Sequence, residues 1–304
     1  MRLLDGIQSA LNPQGPDAAL IAEMSWVLFV GAAVIFAGVM ALAAWAVFGA
    51  RDRTARLSPR WLVVGGGIVF PAVTLFALLV YSFARAASLH PVEDGALRIE
   101  VVGEQWWWRV HYLDAAGRRD FATANEIRVP VGRPVELLLR SGDVVHSFWV
   151  PVLAGKLDMI PGRTNRLRVR AERPGEFRGQ CAEYCGGPHA FMALFFVAED
   201  PAQYERWASE QRKPAAQSSE AFVAHCGSCH TVRGTPAAGM LGPDLTHVGG
   251  RLSIGAGLLP MNAGALAGWI ASSQHLKPGN LMPAFRHFSG EELRALAGYL
   301  EGLK

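Results

Sequence analysis

The chain has 304 residues, room for two or three domains, and a formal net charge of only +3. It contains no basic tract and no acidic tail, so nothing in its charge points to nucleic acid as a partner. A mean hydropathy of +0.19 is high for a soluble protein, and two stretches near the start account for it.

From Met24 to Ala50, and again from Trp61 to Ala84, there is no charged residue. Each run is long enough to cross a hydrocarbon core of about 30 Å as a helix. The first is too long for a signal-peptide core and follows Asp5, Asp17 and Glu23 rather than a basic segment. Between the runs stand Arg51, Arg53, Arg56 and Arg60 against one acid, Asp52. The positive-inside rule puts this loop, 51–60, in the cytoplasm and both termini outside. The reading is a transmembrane hairpin over 24–85, with helices at 24–50 and 61–84, preceded by an extracytoplasmic segment 1–23.

Residues 86–212 read as an all-β domain. Leu97–Val102, Trp106–Tyr112, Glu126–Val129, Val135–Leu139, Arg166–Arg170 and Ala193–Val197 are short β-rich runs separated by Gly, Pro and Asn, as a sandwich requires. Pro201–Arg212 looks like a short surface helix. Residues 213–219, Lys-Pro-Ala-Ala-Gln-Ser-Ser, read as a polar, Pro-broken linker. The remainder, 220–304, is predicted all-α. Its last helix opens on Ser289 with Glu292 three residues on, a capping box, and Leu293, Leu296, Leu300 and Leu303 form an apolar stripe suited to a core.

Two short motifs carry chemistry, and together they use all four cysteines. The first is Cys181-Ala-Glu183-Tyr-Cys185-Gly-Gly-Pro-His189-Ala-Phe-Met192, with His146 upstream in an aromatic strand. Cys-x-x-x-Cys alone could be a disulfide, a zinc half-site or two buried small residues. Zinc sites favour Cys-x-x-Cys spacing and lack a Met ligand. Soft sulfur with imidazole suits copper better than a hard cation. The second motif is Cys226-Gly-Ser-Cys229-His230, the pattern of c-type haem attachment. A redox dithiol beside a chance histidine is the alternative. The residues that follow the motif, Gly242-Pro243-Asp244-Leu245 and Asn280-Leu281-Met282-Pro283, resemble a small cytochrome c, and that resemblance implies Met282 as the second axial ligand; Met240 and Met261 compete but sit in no Met-Pro loop. His/Met ligation raises the iron potential and fills both axial sites, which suits electron transfer rather than oxygen binding.

On these motifs the stretch 24–200 resembles subunit II of haem–copper cytochrome c oxidases, and the rest resembles a bacterial cytochrome c. Together they look like the fused subunit II of a caa3-type oxidase. The resemblance implies a Greek-key cupredoxin-like sandwich carrying a binuclear copper-A centre. Cys181 and Cys185 would bridge the coppers, His146 and His189 would each cap one, and Met192 and the Glu183 backbone carbonyl would be weak outer ligands. It also implies a magnesium on the Glu183 carboxylate at the boundary with subunit I, covalent haem c on Cys226 and Cys229 with His230 and Met282 axial, and Trp106 as the point where electrons reach the copper site. One feature departs from the family. Many members carry a glutamate at the start of the second membrane helix; here the stretch reads Ser58-Pro59-Arg60-Trp61-Leu62, with no acid.

The implied function is electron delivery through haem c and copper-A to subunit I, which reduces oxygen to water. The implied partners are subunit I, subunit III and small subunits, a cytochrome c or other donor, and membrane lipid. The implied location is the cell inner membrane, with both cofactor domains on the periplasmic side. From 85 to 213 there are 18 basic and 17 acidic residues, and from 214 to 304 there are 6 and 5, so neither domain has a single-sign field for steering. A tethered donor needs none. A membrane-tethered copper/haem carrier outside any oxidase, and a copper-delivery protein, are the competing readings; covalent haem argues against delivery.

Overall fold

The structure is a computed structural model, and it describes residues 6–49, 59–87 and 95–304. Arg51, Arg53, Arg56, Asp52 and Ser58, on which the cytoplasmic loop and part of the glutamate departure rest, lie outside the described residues. The chain divides into two compact units. One runs from Ala19 to Pro91; the other joins the chain start, up to Ala18, to everything from Val92 onward.

The first unit holds two apolar helices. Helix α1 spans Pro16–Phe48, opening eight residues before the uncharged run because Pro16 suits a first helical turn. At 33 residues it is about 50 Å long, more than a hydrocarbon core requires. The second begins as a single turn, Pro59–Trp61, passes through a π-helical stretch, Leu62–Val69, and continues as α2, Phe70–Ala86. Gly65-Gly66-Gly67 and Pro71 explain the wide turns: glycine relaxes the backbone, and Pro71 has no N–H to give the ladder. Both helices are long and apolar enough to cross a membrane. Tyr81 and Arg85, late in α2, reach Glu23, early in α1, so the pair runs antiparallel.

The sandwich has ten strands: β1 Leu97–Glu104, β2 Trp107–Leu113, β3 Arg119–Ala124, β4 Glu126–Pro130, β5 Val135–Ser141, β6 His146–Trp149, β7 Leu157–Met159, β8 Asn165–Val169, β9 Gly175–Cys181 and β10 Ala193–Glu199. One sheet is ordered β3-β2-β1-β5-β8, the other β4-β10-β9-β6-β7. β1 lies parallel to β5 and β4 to β10; the other pairs are antiparallel. This is a cupredoxin-like sandwich. Strands β3, β7 and β9 escaped the pattern reading because their apolar residues are few and their faces are held by neighbours rather than by alternation. Trp108, Phe148, Ile99, Leu137 and Phe196 fill the space between the sheets.

Helix α3, Pro201–Arg212, is not merely superficial. It buries Tyr204 and Ala208, and Trp207 meets the stacked pair Tyr112 and Phe121 edge-on. The segment expected to be a loose linker is tied down. Ala215 N donates to Arg233 O at 2.8 Å, His247 Nε2 meets Lys213 O at 3.0 Å, and Tyr299 Oη donates to Gln217 O. Composition read this stretch as mobile, but its backbone groups find partners in the C-terminal domain.

That domain is helical: α4 Glu220–His225, α5 Ala263–Leu276 and α6 Gly290–Gly302, with a two-residue ladder of β11, Ser253–Ile254, and β12, Leu259–Pro260. The Ser289–Glu292 capping box forms in full. Leu296, Leu300 and Leu303 are buried with Phe222 of α4, and Leu293 packs beside them.

Candidate metal centre and haem site

The first site lies at one end of the sandwich. Cys181 is the last residue of β9 and pairs with Phe148 of β6; His146 is the first residue of β6 and pairs with Met159 of β7. Neighbouring strands thus fix the strand-borne donors. The other donors ride the loop from 182 to 192. Its ends are pinned by Cys181 N to Met192 O at 2.9 Å and Ala182 N to Ser147 O at 3.0 Å, and a 3-10 turn, Gly187–Phe191, presents His189.

The sulfurs of Cys181 and Cys185 lie 3.8 Å apart. That is far beyond a disulfide bond, so the disulfide alternative falls. His146 Nδ1 is 3.9 Å from the Cys181 sulfur, and His189 Nδ1 is 3.4 Å from that of Cys185. The Met192 sulfur is 3.9 Å from Cys185, and the Glu183 carbonyl oxygen 3.2 Å from Cys181. Each imidazole therefore attends a different thiol. Both cysteines, His146 and Met192 are buried. Three sulfurs, two imidazoles and one carbonyl around a shared thiol pair fit a soft two-metal centre; a single tetrahedral zinc would leave donors over.

The surroundings prepare these donors. The hydrogen bond between the two thiols pulls the Cys181 thiol down and pushes that of Cys185 up. Burial pulls His146 down, but hydrogen bonds to Cys181 and Asp143 hold it above its ordinary value. Asp143 Oδ1 lies 2.8 Å from His146 Nε2, orienting the ring from behind. Gly103 on β1 is the floor: a Cβ there would stand 2.9 Å from the His146 ring. Sequence reading passed over Asp143 and Gly103. An acid three residues before a ligand histidine was the available signal for the first; for the glycine there was none.

Trp106 does not sit in a strand. It lies in the turn between β1 and β2, where Trp108 turns into the core and Trp107 receives the Arg109 guanidinium over its ring. Trp106 Nε1 donates to the Cys185 carbonyl at 2.9 Å, and Gln105 Nε2 donates to the same oxygen at 2.7 Å. The indole is thus wired to the backbone of a candidate ligand. The Glu183 carboxylate instead meets Lys156 Nζ at 3.4 Å, and Lys156 also pairs with Asp158. Among the described residues, the side-chain cluster with metal-ligand spacing is His146, Cys181 and Cys185, and the Glu183 carboxylate is not part of it.

The second site is in the C-terminal domain. Cys226 and Cys229 are unbridged and half-buried. Burial pushes the Cys226 thiol up to about 11, away from the thiolate form. His230 Nδ1 lies 2.9 Å from Pro243 O, which fixes the tautomer and leaves Nε2 for a metal. Burial lowers the His230 pKa and keeps the ring neutral. Gly242 lets the chain pass directly beneath this ring, since a Cβ there would come within 2.5 Å of it. Unbridged thiols, a neutral oriented histidine and this cradle fit a covalent haem. The loop of Met282 is anchored by Ser273 Oγ and Gln274 Nε2, both donating to Met282 O, and the Met282 sulfur accepts from Trp269 Nε1 at 3.1 Å. Met240 is 77% exposed, which disfavours it as a competing ligand.

A cupredoxin-like sandwich with paired soft ligands, joined to a Cys-x-x-Cys-His helical domain, defines an electron-transfer protein. Comparison with known proteins narrows the class. The family described as cytochrome C oxidase subunit II, periplasmic domain, matches residues 113–198, and the family cytochrome c matches 215–304. Cytochrome c oxidase subunit 2 of Alkalihalophilus pseudofirmus is 38% identical over 251 residues, covering 78% of this chain and 71% of the relative. The subunit 2 of Bacillus sp. strain PS3 is 31% identical, covering 78% and 72%. The periplasmic domain of subunit II from Bradyrhizobium japonicum, a solved structure, is 30% identical with a TM-score of 0.38, covering 40% of this chain and 97% of that one. The chain belongs to the cytochrome c oxidase subunit 2 family and carries a C-terminal cytochrome c domain. As an oxidase subunit it works with other oxidase subunits.

Proposed function

We propose that this subunit takes up electrons on its C-terminal domain and delivers them through the sandwich to the oxygen-reducing subunit I. The observation that carries the reading is the convergence of Cys181, Cys185, His146, His189 and Met192 on one buried thiol pair. When bound, a two-copper centre there and a haem c on the second domain supply reversible one-electron chemistry. Cys181, Cys185, His146, His189, Met192 and the Glu183 carbonyl would hold the two metals. Cys226 and Cys229 would carry the haem, with His230 and Met282 on its iron.

The chain's own contribution is position and dryness. Asp143 holds the His146 ring, Pro243 O holds the His230 ring, and burial keeps water from the thiol pair. Trp106, bonded to the Cys185 carbonyl, is the residue through which electrons reach the sandwich site. A magnesium on the Glu183 carboxylate would have to draw its other ligands from subunit I and compete with Lys156. The domain limits of this reading are a membrane hairpin over 24–85 with loop 51–60 in the cytoplasm, a copper domain at 86–212, and a haem domain at 220–304 on the periplasmic side.

The test is metal and haem content after purification from native membrane. Two coppers and one covalent haem per chain are expected, together with co-purifying oxidase subunits. One zinc and no copper would end the copper reading, and a chain that purifies alone would favour a free carrier. Cys185→Ser should leave the C-terminal domain reducible by external donors while oxygen consumption is lost.

A further inference from the structure

Lys277 is the most anomalous residue of the C-terminal domain. It follows α5, it is only 2% exposed, and no carboxylate pairs with it among the described residues. Its ammonium donates to Trp106 O at 2.6 Å, Phe191 O at 2.8 Å and Gly255 O at 3.0 Å. An ammonium has three donors, and here all three are used. Burying an unpaired charge is costly, and burial pulls this one down to about 7. The nearby charge of Cys185 opposes that pull.

Those carbonyls come from two domains. Trp106 and Phe191 belong to the sandwich, and Gly255 belongs to the C-terminal domain. Phe191 directly precedes Met192, and Trp106 is bonded to Cys185, so the lysine grips the backbone at both flanks of the thiol site. The loop that carries it continues through Gly279 to Met282. Gly279 has φ +83°, and a Cβ there would lie 3.7 Å from the Trp106 ring, so this loop runs in contact with the indole. One short segment thus connects the candidate iron ligand, the latch and the tryptophan.

Other directional contacts fix the same docking. Ala193 N donates to Ala256 O at 3.0 Å, Leu252 N to Glu126 Oε2 at 2.7 Å, and Arg109 Nη2 to Met240 O at 3.0 Å. Arg128 Nη2 adds a bond to Gly250 O. The tied-down segment 213–219 leaves the domain no slack for a wide search.

We propose that Lys277 is a latch that fixes the C-terminal domain in one docked position over Trp106, making it the sandwich's dedicated donor and closing that face to soluble donors. Only the electron-delivery part rests on the proposed function; the latch itself is a statement about docking. Lysine is a positioning residue here, since it touches no reacting group.

The test uses the full chain in its oxidase complex, with Lys277→Met as the main variant and Arg109→Gln as a milder one. Hydrogen exchange is read at the amides of Ala193 and Leu252, which bond across the interface. Removing the donor of three buried carbonyls should raise exchange there by roughly ten- to a hundredfold, and Arg109→Gln should raise it less. Delivery from the C-terminal domain should slow while haem and copper spectra stay unchanged, and turnover with added soluble reduced cytochrome c, measured at the sandwich, should rise. If Lys277→Met does not accumulate, Arg109→Gln carries the same comparison. Unchanged exchange at both amides overturns the latch. Faster exchange with unchanged delivery overturns the positioning role. Absence of copper from the unsubstituted protein would defeat the functional reading instead, and the exchange result would still decide the latch.

Discussion

The sandwich site and the C-terminal site differ in how much of each the polypeptide builds by itself. At the sandwich end, every donor already stands within 3.9 Å of a thiol, because cross-strand pairs fix Cys181 and His146 and backbone bonds pin the loop between them. In the C-terminal domain, His230 is equally well aimed, but Met282 spends its sulfur on the Trp269 indole. That domain packs a small core of short helices, where the longest has 14 residues. A sheet frame places its loops through hydrogen bonds that need no ligand, whereas short helices around a large group lean on that group for their packing.

The sharpest way to break this contrast is to remove each cofactor's anchors separately. Cys226→Ala with Cys229→Ala should abolish covalent haem and cost residues 220–304 most of their exchange protection, while copper content stays at two. Cys181→Ser with Cys185→Ser should abolish copper yet leave the strands of the sandwich protected. Equal loss of protection in the two variants, read by hydrogen exchange, would erase the distinction.

A smaller effect sharpens the same point. Asp143 touches His146 from outside the donor set, at 2.8 Å. If preorganisation at the sandwich end is genuine, Asp143→Asn should lower copper affinity by about 10- to 100-fold without unfolding the domain. Competition with a copper chelator measures it. An unchanged affinity would mean that the strand pairing alone sets the ring.

Much of this was legible from residues. The ligand motif and Cys-x-x-Cys-His pointed to the two sites and to the family, because soft donors at this spacing with a Met and an upstream His are a narrow pattern. The two uncharged runs and the capping box at Ser289 announced their helices. What stayed hidden depended on contacts between distant segments. Trp106 read as strand because aromatic residues suit strands, yet a hairpin turn claims it. Residues 213–219 read as loose because composition cannot show that Arg233 O and His247 would meet them. Sequence reading passed over Lys277, since its partners are carbonyls, which every residue possesses.

The least of the expected effects concerns acid sensitivity of the sandwich. His111, on β2 between Glu100 of β1 and Ala122 of β3, has its pKa lowered to about 4. Burial is the main cause; the charge of Arg119 on β3 adds to it and Arg109 of β2 adds less, while Glu100 and Asp244 of the C-terminal domain oppose it. Its Nε2 has no hydrogen-bond partner among the described residues. The folded state therefore prefers the neutral ring, and the unfolded chain binds the extra proton first. Stability attributable to His111 is intact above about pH 6.5, falls as pH drops from there toward 4, and levels off below it. The slope is at most about 1.4 kcal/mol per pH unit for a single proton. His111→Gln should flatten that part of the curve, and denaturant unfolding between pH 7 and 4 measures it. An identical slope in the variant would remove His111 as its source; Glu100, whose pKa is lowered because hydrogen bonds from Arg119 and Arg140 outweigh its burial, loses its contribution only as pH falls through and below the ordinary carboxylate range.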